Sequence, residues 1–178
     1  MVIAELVVSL KIPDVTALTA ANAIRRRLGF AEKLRELHRA DYYRLELEVA
    51  DRASAERLVR EMAEQTNLFV NPNKHVFEVR FPEDRDGGGA TDGERVVNVL
   101  VTSPDDTSGE GLAATLRGHL GYDAVRSVAT GVLWTLRLAA DSDEAARAMA
   151  EEIAVTRSQS QGILMNPHFQ EIEVWMGG

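Results

Sequence analysis

Leu6, Val8 and Leu10 mark a two-residue apolar period near the start of the chain, which predicts a β-strand. The period then lengthens. Leu18, Ala21, Ile24 and Leu28 fall on one helical face, and Gly29 follows the last of them, where a residue at positive φ closes a helix without a Cβ penalty. A hairpin is expected next. Its second strand is the clearest in the chain: Tyr43, Leu45, Leu47 and Val49 alternate with Arg44, Glu46 and Glu48. Asp51 is a good N-cap for a second helix that buries Leu58, Val59 and Met62. Helix cannot run through Asn71-Pro72, because the residue before proline is pushed out of the α region. Phe77, Val79 and Phe81 then give a last strand.

The same series occurs twice. RRRLGF at 25–30 answers RGHLGY at 117–122, so Leu28, Gly29 and Phe30 correspond to Leu120, Gly121 and Tyr122. LELEVADRASAERLVREMAE at 45–64 answers LRLAADSDEAARAMAEEIA at 136–154, which matches Asp51 with Asp141 and puts Glu144 three residues beyond Asp141, as a capping box requires. Asn71-Pro72 answers Asn166-Pro167, and the first strand is answered by Val97, Val99 and Val101. Residues 1–81 and 95–178 are therefore read as two modules of order β-α-β-β-α-β. The fold class is α+β: two tandem ferredoxin-like modules, each an antiparallel sheet with both helices on one face, forming a pseudo-dimer. Arg44, Glu46, Glu48, Glu78 and Arg80 would lie on the face away from the helices, making it too polar for a dry sheet-on-sheet core. Between the modules, PEDRDGGGATDGE at 82–94 reads as a flexible acidic, glycine-rich tether.

Composition narrows the function. The chain has 178 residues and no cysteine, which removes disulfides, thiolate metal sites, iron–sulfur clusters and cysteine nucleophiles, the cysteine-dependent glutaminases among them. Its net charge of −8 is divided unevenly, with +1 on residues 1–81, −4 on 82–94 and −5 on 95–178. Neither module is the basic body of a nucleic-acid binder, and only Trp175 and Tyr42 offer themselves as stacking aromatics. No apolar run is long enough for a membrane helix, and MVIAELVVSL reads as a strand, not a signal peptide, so a cytoplasmic location is expected.

Candidate chemistry is sparse. GGGATDGER lacks the Lys-Ser/Thr that closes a phosphate-binding loop. His38, His75, His119 and His168 show no paired metal-ligand spacing. The repeated carboxylates Asp51/Asp141 and Glu78/Glu173 have capping or surface-strand explanations, and Arg25-Arg26-Arg27 reads as a solvated helix surface. No catalytic, cofactor-binding or metal residue is assigned, and no cofactor is expected. The repeated landmarks Leu28, Gly29, Phe30, Asp51, Asn71, Pro72, Leu120, Gly121, Tyr122, Asp141, Asn166 and Pro167 are structural candidates.

SLKIPDV, RRRLGF, LELEVAD, LVREMAEQTNLFVNP and HVFEVRF, and in the second module HLGYDAV, LRLAADSDEAARAMAEEIA, LMNP and QEIEVW, resemble the PurS family. This is the small subunit of bacterial and archaeal phosphoribosylformylglycinamidine synthase. The loops depart from the family pattern: IPDVTALT and SPDDTSGEG replace its turn before the first helix, and HRADYY and VATGVLW replace its hairpin Val-Gly-Lys. The resemblance implies a non-catalytic subunit of an ATP- and glutamine-dependent ligase complex, bridging the glutaminase and synthetase subunits in purine biosynthesis. Two copies in one chain would stand in for a homodimer, and further oligomerisation is compatible with it. The alternative is a small-ligand-binding regulatory module, since tandem β-α-β-β-α-β pairs also build amino-acid-sensing domains.

Overall fold

The computed structural model describes residues 1–85, 93–155, 163–166 and 168–177. Six strands and four helices follow in the order β1 (Val2–Leu10), α1 (Val15–Arg27), β2 (Leu34–Leu47), α2 (Arg52–Gln65), β3 (His75–Arg80), β4 (Glu94–Thr102), α3 (Ser108–Gly118), β5 (Val125–Ala139), α4 (Asp143–Ala154) and β6 (Glu171–Gly177). The strands form an antiparallel sheet of order β3-β1-β2-β5-β4-β6.

Each half of the sequence therefore runs β-α-β-α-β. The hairpin expected after the first helix is absent: β2 is one strand of 14 residues and β5 one of 15. The residues explain this. Leu34–Leu47 contains no glycine, proline or asparagine, so a lone Asp41 is all that could take the positive φ of a two-residue hairpin turn. β5 carries only Gly131, and the chain stays extended through it.

The consequence is an exchange of elements between the halves. One compact unit comprises Met1–Ile12, Ala40–Asp84 and Asp105–Gly131; the other comprises Pro13–Arg39, Arg85–Pro104 and Val132–Gly178. These units differ from the sequence modules 1–81 and 95–178, because each long strand is split between units and carries its preceding helix with it. In the first unit, α2 (Val59, Met62) and α3 (Ala113, Leu116) bury against Ala4, Leu6 and Val8 of β1 and Leu45 and Leu47 of β2. In the second unit, α1 (Ala21, Ile24) and α4 (Ala150, Ile153) bury against Val97, Val99, Trp134, Leu136 and Leu138. Ile24 and Leu116, each fully buried, sit in cores built mainly from the other half of the sequence. Burial of each such side chain contributes about 1.5–3 kcal/mol.

β2 serves both cores. Leu34 and Leu37 belong to one, Leu45 and Leu47 to the other. Val125 and Val128 of β5 are divided from Trp134, Leu136 and Leu138 in the same way. At the ends of these strands Glu48 N–H donates to Ala124 O at 2.8 Å in the first unit, and Ala139 N–H to Lys33 O at 2.8 Å in the second.

The strand register also corrects the alignment of the halves. Ala4 pairs with Leu45 and Leu6 with Tyr43, while Val97 pairs with Leu136 and Val99 with Trp134. Leu6 thus corresponds to Val99 and not to Val97. Alternating valines are degenerate by two residues, and only cross-strand partners fix the phase.

Two expectations follow. Residues 1–85 and 93–178, expressed separately, each lack half of both cores and will show weak near-ultraviolet circular dichroism; mixing them will restore a cooperative melt. Gly109 is packed so that an added Cβ would lie 2.0 Å from Val128 O, whereas the corresponding Ala17 is accommodated. Gly109→Ala should therefore destabilise the protein by about 1–3 kcal/mol in denaturant titrations.

Candidate interaction scaffold

The repeated landmarks build local backbone devices. Gly29 and Gly121 lie at φ 77° and 76°. Around them Phe30 N–H donates to Ile24 O at 3.5 Å and Tyr122 N–H to Leu116 O at 2.9 Å, a bond reaching six residues back that closes each helix end. The aromatic after the glycine is thereby turned towards the core. Phe30 is buried, and Tyr122 packs beside the first unit's core with its hydroxyl 3.4 Å from Glu61 Oε1.

Helix and strand are then tied by an arginine. Arg25 Nε and Nη2 donate to Leu34 O (3.1 Å) and Arg35 O (2.6 Å); Arg117 Nη1 donates to Val125 O (3.0 Å) and Arg126 O (2.9 Å). Arg25 is thus a clamp and not part of a solvated surface. A fork of fixed donors suits two successive carbonyls better than a lysine would. Because of these bonds, each exchanged helix travels with the strand start that follows it.

At the helix starts, Asp14 Oδ1 accepts from Thr16 N–H at 2.8 Å and Asp106 Oδ1 from Ser108 N–H at 2.8 Å. Asp106 also accepts from the Ser108 and Thr130 hydroxyls, and these bonds, the Ser108 hydroxyl foremost, hold its pKa below the ordinary carboxylate value. Asp51 caps α2 by accepting from Ser54 N–H at 2.7 Å. Asp141 does not do the same for α4. There the N-cap is Ser142, whose Oγ accepts from Ala145 N–H at 3.1 Å, while Asp141 is exposed one residue outside the helix. The order Asp-Ser-Asp offers two capping side chains in a row, and the later one wins.

The Asn-Pro sites are turns. Asn71 Oδ1 accepts from Asn73 N–H and Asn166 Oδ1 from His168 N–H, both at 3.0 Å. Each asparagine N–H is satisfied by the side chain four residues on: His75 Nδ1 at 3.2 Å and Gln170 Oε1 at 2.9 Å. His75 therefore has a structural partner. Pro72 O accepts from Lys11 Nζ at 2.6 Å; Pro167 lies outside the described residues.

The exchange interleaves these landmarks. Asp51, Asn71 and Pro72 share a unit with Leu120, Gly121 and Tyr122, whereas Leu28, Gly29 and Phe30 share one with Asp141 and Asn166.

On the sheet face away from the helices the halves differ. Glu5 is 1% exposed, accepts from Tyr42 Oη at 2.8 Å, and stands opposite Arg44 on β2 and Arg80 on β3. The corresponding Asn98 is 4% exposed, accepts from Thr135 Oγ1 at 2.8 Å, and stands opposite Thr135 and Trp175. A carboxylate among arginines in one half is an uncharged amide in the other. Periodicity could not show this, because Glu5 lies inside an apolar strand. Glu78 and Glu48 of this face are exposed, and Arg44 and Arg80 are half-buried. Trp175 and Tyr42 are buried, so neither offers a stacking platform. Arg85 lies over the Trp175 ring at 3.9 Å and pairs with Glu173 at 2.6 Å. Within the expected tether, Pro82–Asp84 forms a 3₁₀ turn in which Asp84 pairs with Arg52, and residues 86–92 lie outside the described residues.

Among the described residues no three His, Cys, Asp or Glu side chains are grouped to hold a metal, and no helix is long and apolar enough to cross a membrane. The site is a scaffold of repeated turns and clamps.

Residues 3–83 match a family model described as PurS, phosphoribosylformylglycinamidine (FGAM) synthase. Over that segment, less than half of the chain, the sequence is similar to the PurS family. The family's description ties that segment to FGAM synthase of purine biosynthesis. The segment spans β1, α1, β2, α2 and β3. Among curated proteins, none matches the chain.

The depressed Asp106 pKa makes one prediction. A carboxyl whose folded-state pKa is lowered contributes stability above its unfolded value and loses it as pH falls through the folded value. Asp106→Asn should therefore lower the neutral-pH melting temperature, and the gap from wild type should narrow as pH falls through the folded-state value.

Proposed function

We propose that the chain is a non-catalytic assembly subunit of FGAM synthase, working in the cytoplasm, in which two PurS-like modules form an internal pseudo-dimer that bridges the glutaminase and ATP-dependent synthetase subunits. The PurS match over residues 3–83 carries the reading. The exchanged helices support it. Each unit is a ferredoxin-like arrangement of four strand segments and two helices, drawn from both halves of the sequence. Fusion fixes a one-to-one ratio of the modules and raises the effective concentration of each for the other to roughly millimolar.

Fusion also releases the modules from being identical. Glu5 against Asn98, and +1 against −5 in net charge, are differences that a homodimer could not express. They suit two faces that meet different surfaces of a larger, asymmetric partner.

The test is co-purification. A tagged full-length chain should co-elute with the glutaminase and synthetase subunits of the same source, and deleting it should remove most glutamine-dependent FGAM formation while ammonia-dependent formation persists. Unchanged glutamine-dependent activity sinks the proposal. A thermal shift with an amino acid or nucleotide, without co-elution, would favour the ligand-binding module instead.

A further inference from the structure

α1 and α3 are equivalent helices in the two halves. Their inner faces agree: Ala17 with Gly109, Ala21 with Ala113, Ile24 with Leu116, all buried. Their outer faces do not. Val15 is 73% exposed and Leu18 53% exposed, where α3 has Thr107 and Glu110. Arg26 is exposed with no ion pair among the described residues, where α3 has Gly118. Val15, Leu18 and Arg26 fall on one stripe about 16 Å long, at spacings of three and eight residues.

A single exposed leucine is ordinary on any protein surface. Here the twin helix supplies the comparison. Both helices fold against the same kind of core and close on the same glycine turn, so folding does not require apolar groups on this outer face. Val15 and Leu18 are also the only large apolar side chains within helices, among the described residues, to be more than a third exposed. Arg26 suits the negative end of the helix dipole. Val15 and Leu18 have no such local use.

From this we infer that the outer stripe of α1 is a docking surface for a protein subunit of FGAM synthase that presents apolar side chains flanked by a carboxylate. The inference rests on the assembly reading above and names one face through which it acts. The occupant's acidic character follows from Arg26, which has no ion pair among the described residues on an otherwise acidic chain. The net charge of −8 also opposes association between copies of this chain, which favours a foreign partner over a second copy.

The experiment titrates the purified synthetase and glutaminase subunits against the full-length chain and three variants: Val15→Ser with Leu18→Ser, Arg26→Glu, and Glu110→Gln on α3 as the control. All four should share the wild-type circular dichroism and melting temperature. The double variant should weaken binding to one subunit about tenfold. Arg26→Glu should weaken it less and flatten its salt dependence, while Glu110→Gln should bind as wild type does. Arg26→Glu reads the same surface even where the double variant misfolds. Wild-type binding by both the double variant and Arg26→Glu overturns the docking surface and leaves the assembly reading standing. Failure of the wild-type chain to bind either subunit overturns both. Self-association that the double variant abolishes, with subunit binding intact, also overturns the inference and makes a second copy the occupant.

Discussion

The structure depends on two strands that do not turn. β2 and β5 each run on where a hairpin would fold the chain back, and every larger feature follows from that continuity. A closed and an exchanged arrangement bury nearly the same side chains, so core packing alone does not choose between them. The choice falls to the connection. A two-residue hairpin turn needs residues tolerant of positive φ. His38, Arg39, Ala40, Asp41 and Tyr42 include none suited to it beyond a lone aspartate, whereas extended conformation costs them nothing.

Once the strands are open, the arginine clamps decide what moves with them. Arg25 and Arg117 fasten the end of a helix to the first carbonyls of the next strand, across the positive-φ turn at Gly29 or Gly121. Helix, turn and strand start form one body. That body enters the core supplied by the other half, which is why Ile24 meets Val97 and Leu136 in one core, and Leu116 meets Leu6 and Leu45 in the other.

Much of this was legible in the sequence because its signals are local. Helix ends at Gly29 and Gly121, the cap at Asp51 and the Asn-Pro turns are written within a few residues each. The exchange was not legible. Tyr43, Leu45 and Leu47 alternate identically whether the preceding segment folds back or runs on, and periodicity contains no information on which sheet a strand joins. The absence of glycine, proline and asparagine between Leu34 and Tyr42 was the one available signal against a hairpin. Capping at Ser142 was missed for a similar reason: Asp141 and Ser142 are both good caps, and only the backbone geometry distinguishes them. The buried Glu5 escaped because its partners, Tyr42, Arg44 and Arg80, are set by strand register and not by spacing.

The exchange also bears on how the two halves could diverge. In a pair of separable modules, a change in one core leaves the other intact. Here every core is written partly in each half, so interior positions are held together: Ala21 with Ala113 and Ile24 with Leu116 remain alike in size. Surfaces carry no such coupling. The outer faces of α1 and α3, and the net charges of the halves, have separated while the turns and clamps beneath them have stayed the same. Shared cores with unlike surfaces are the combination that lets one chain carry two different outer faces over equivalent interiors. A homodimer with the same exchanged frame would have to present the same face twice.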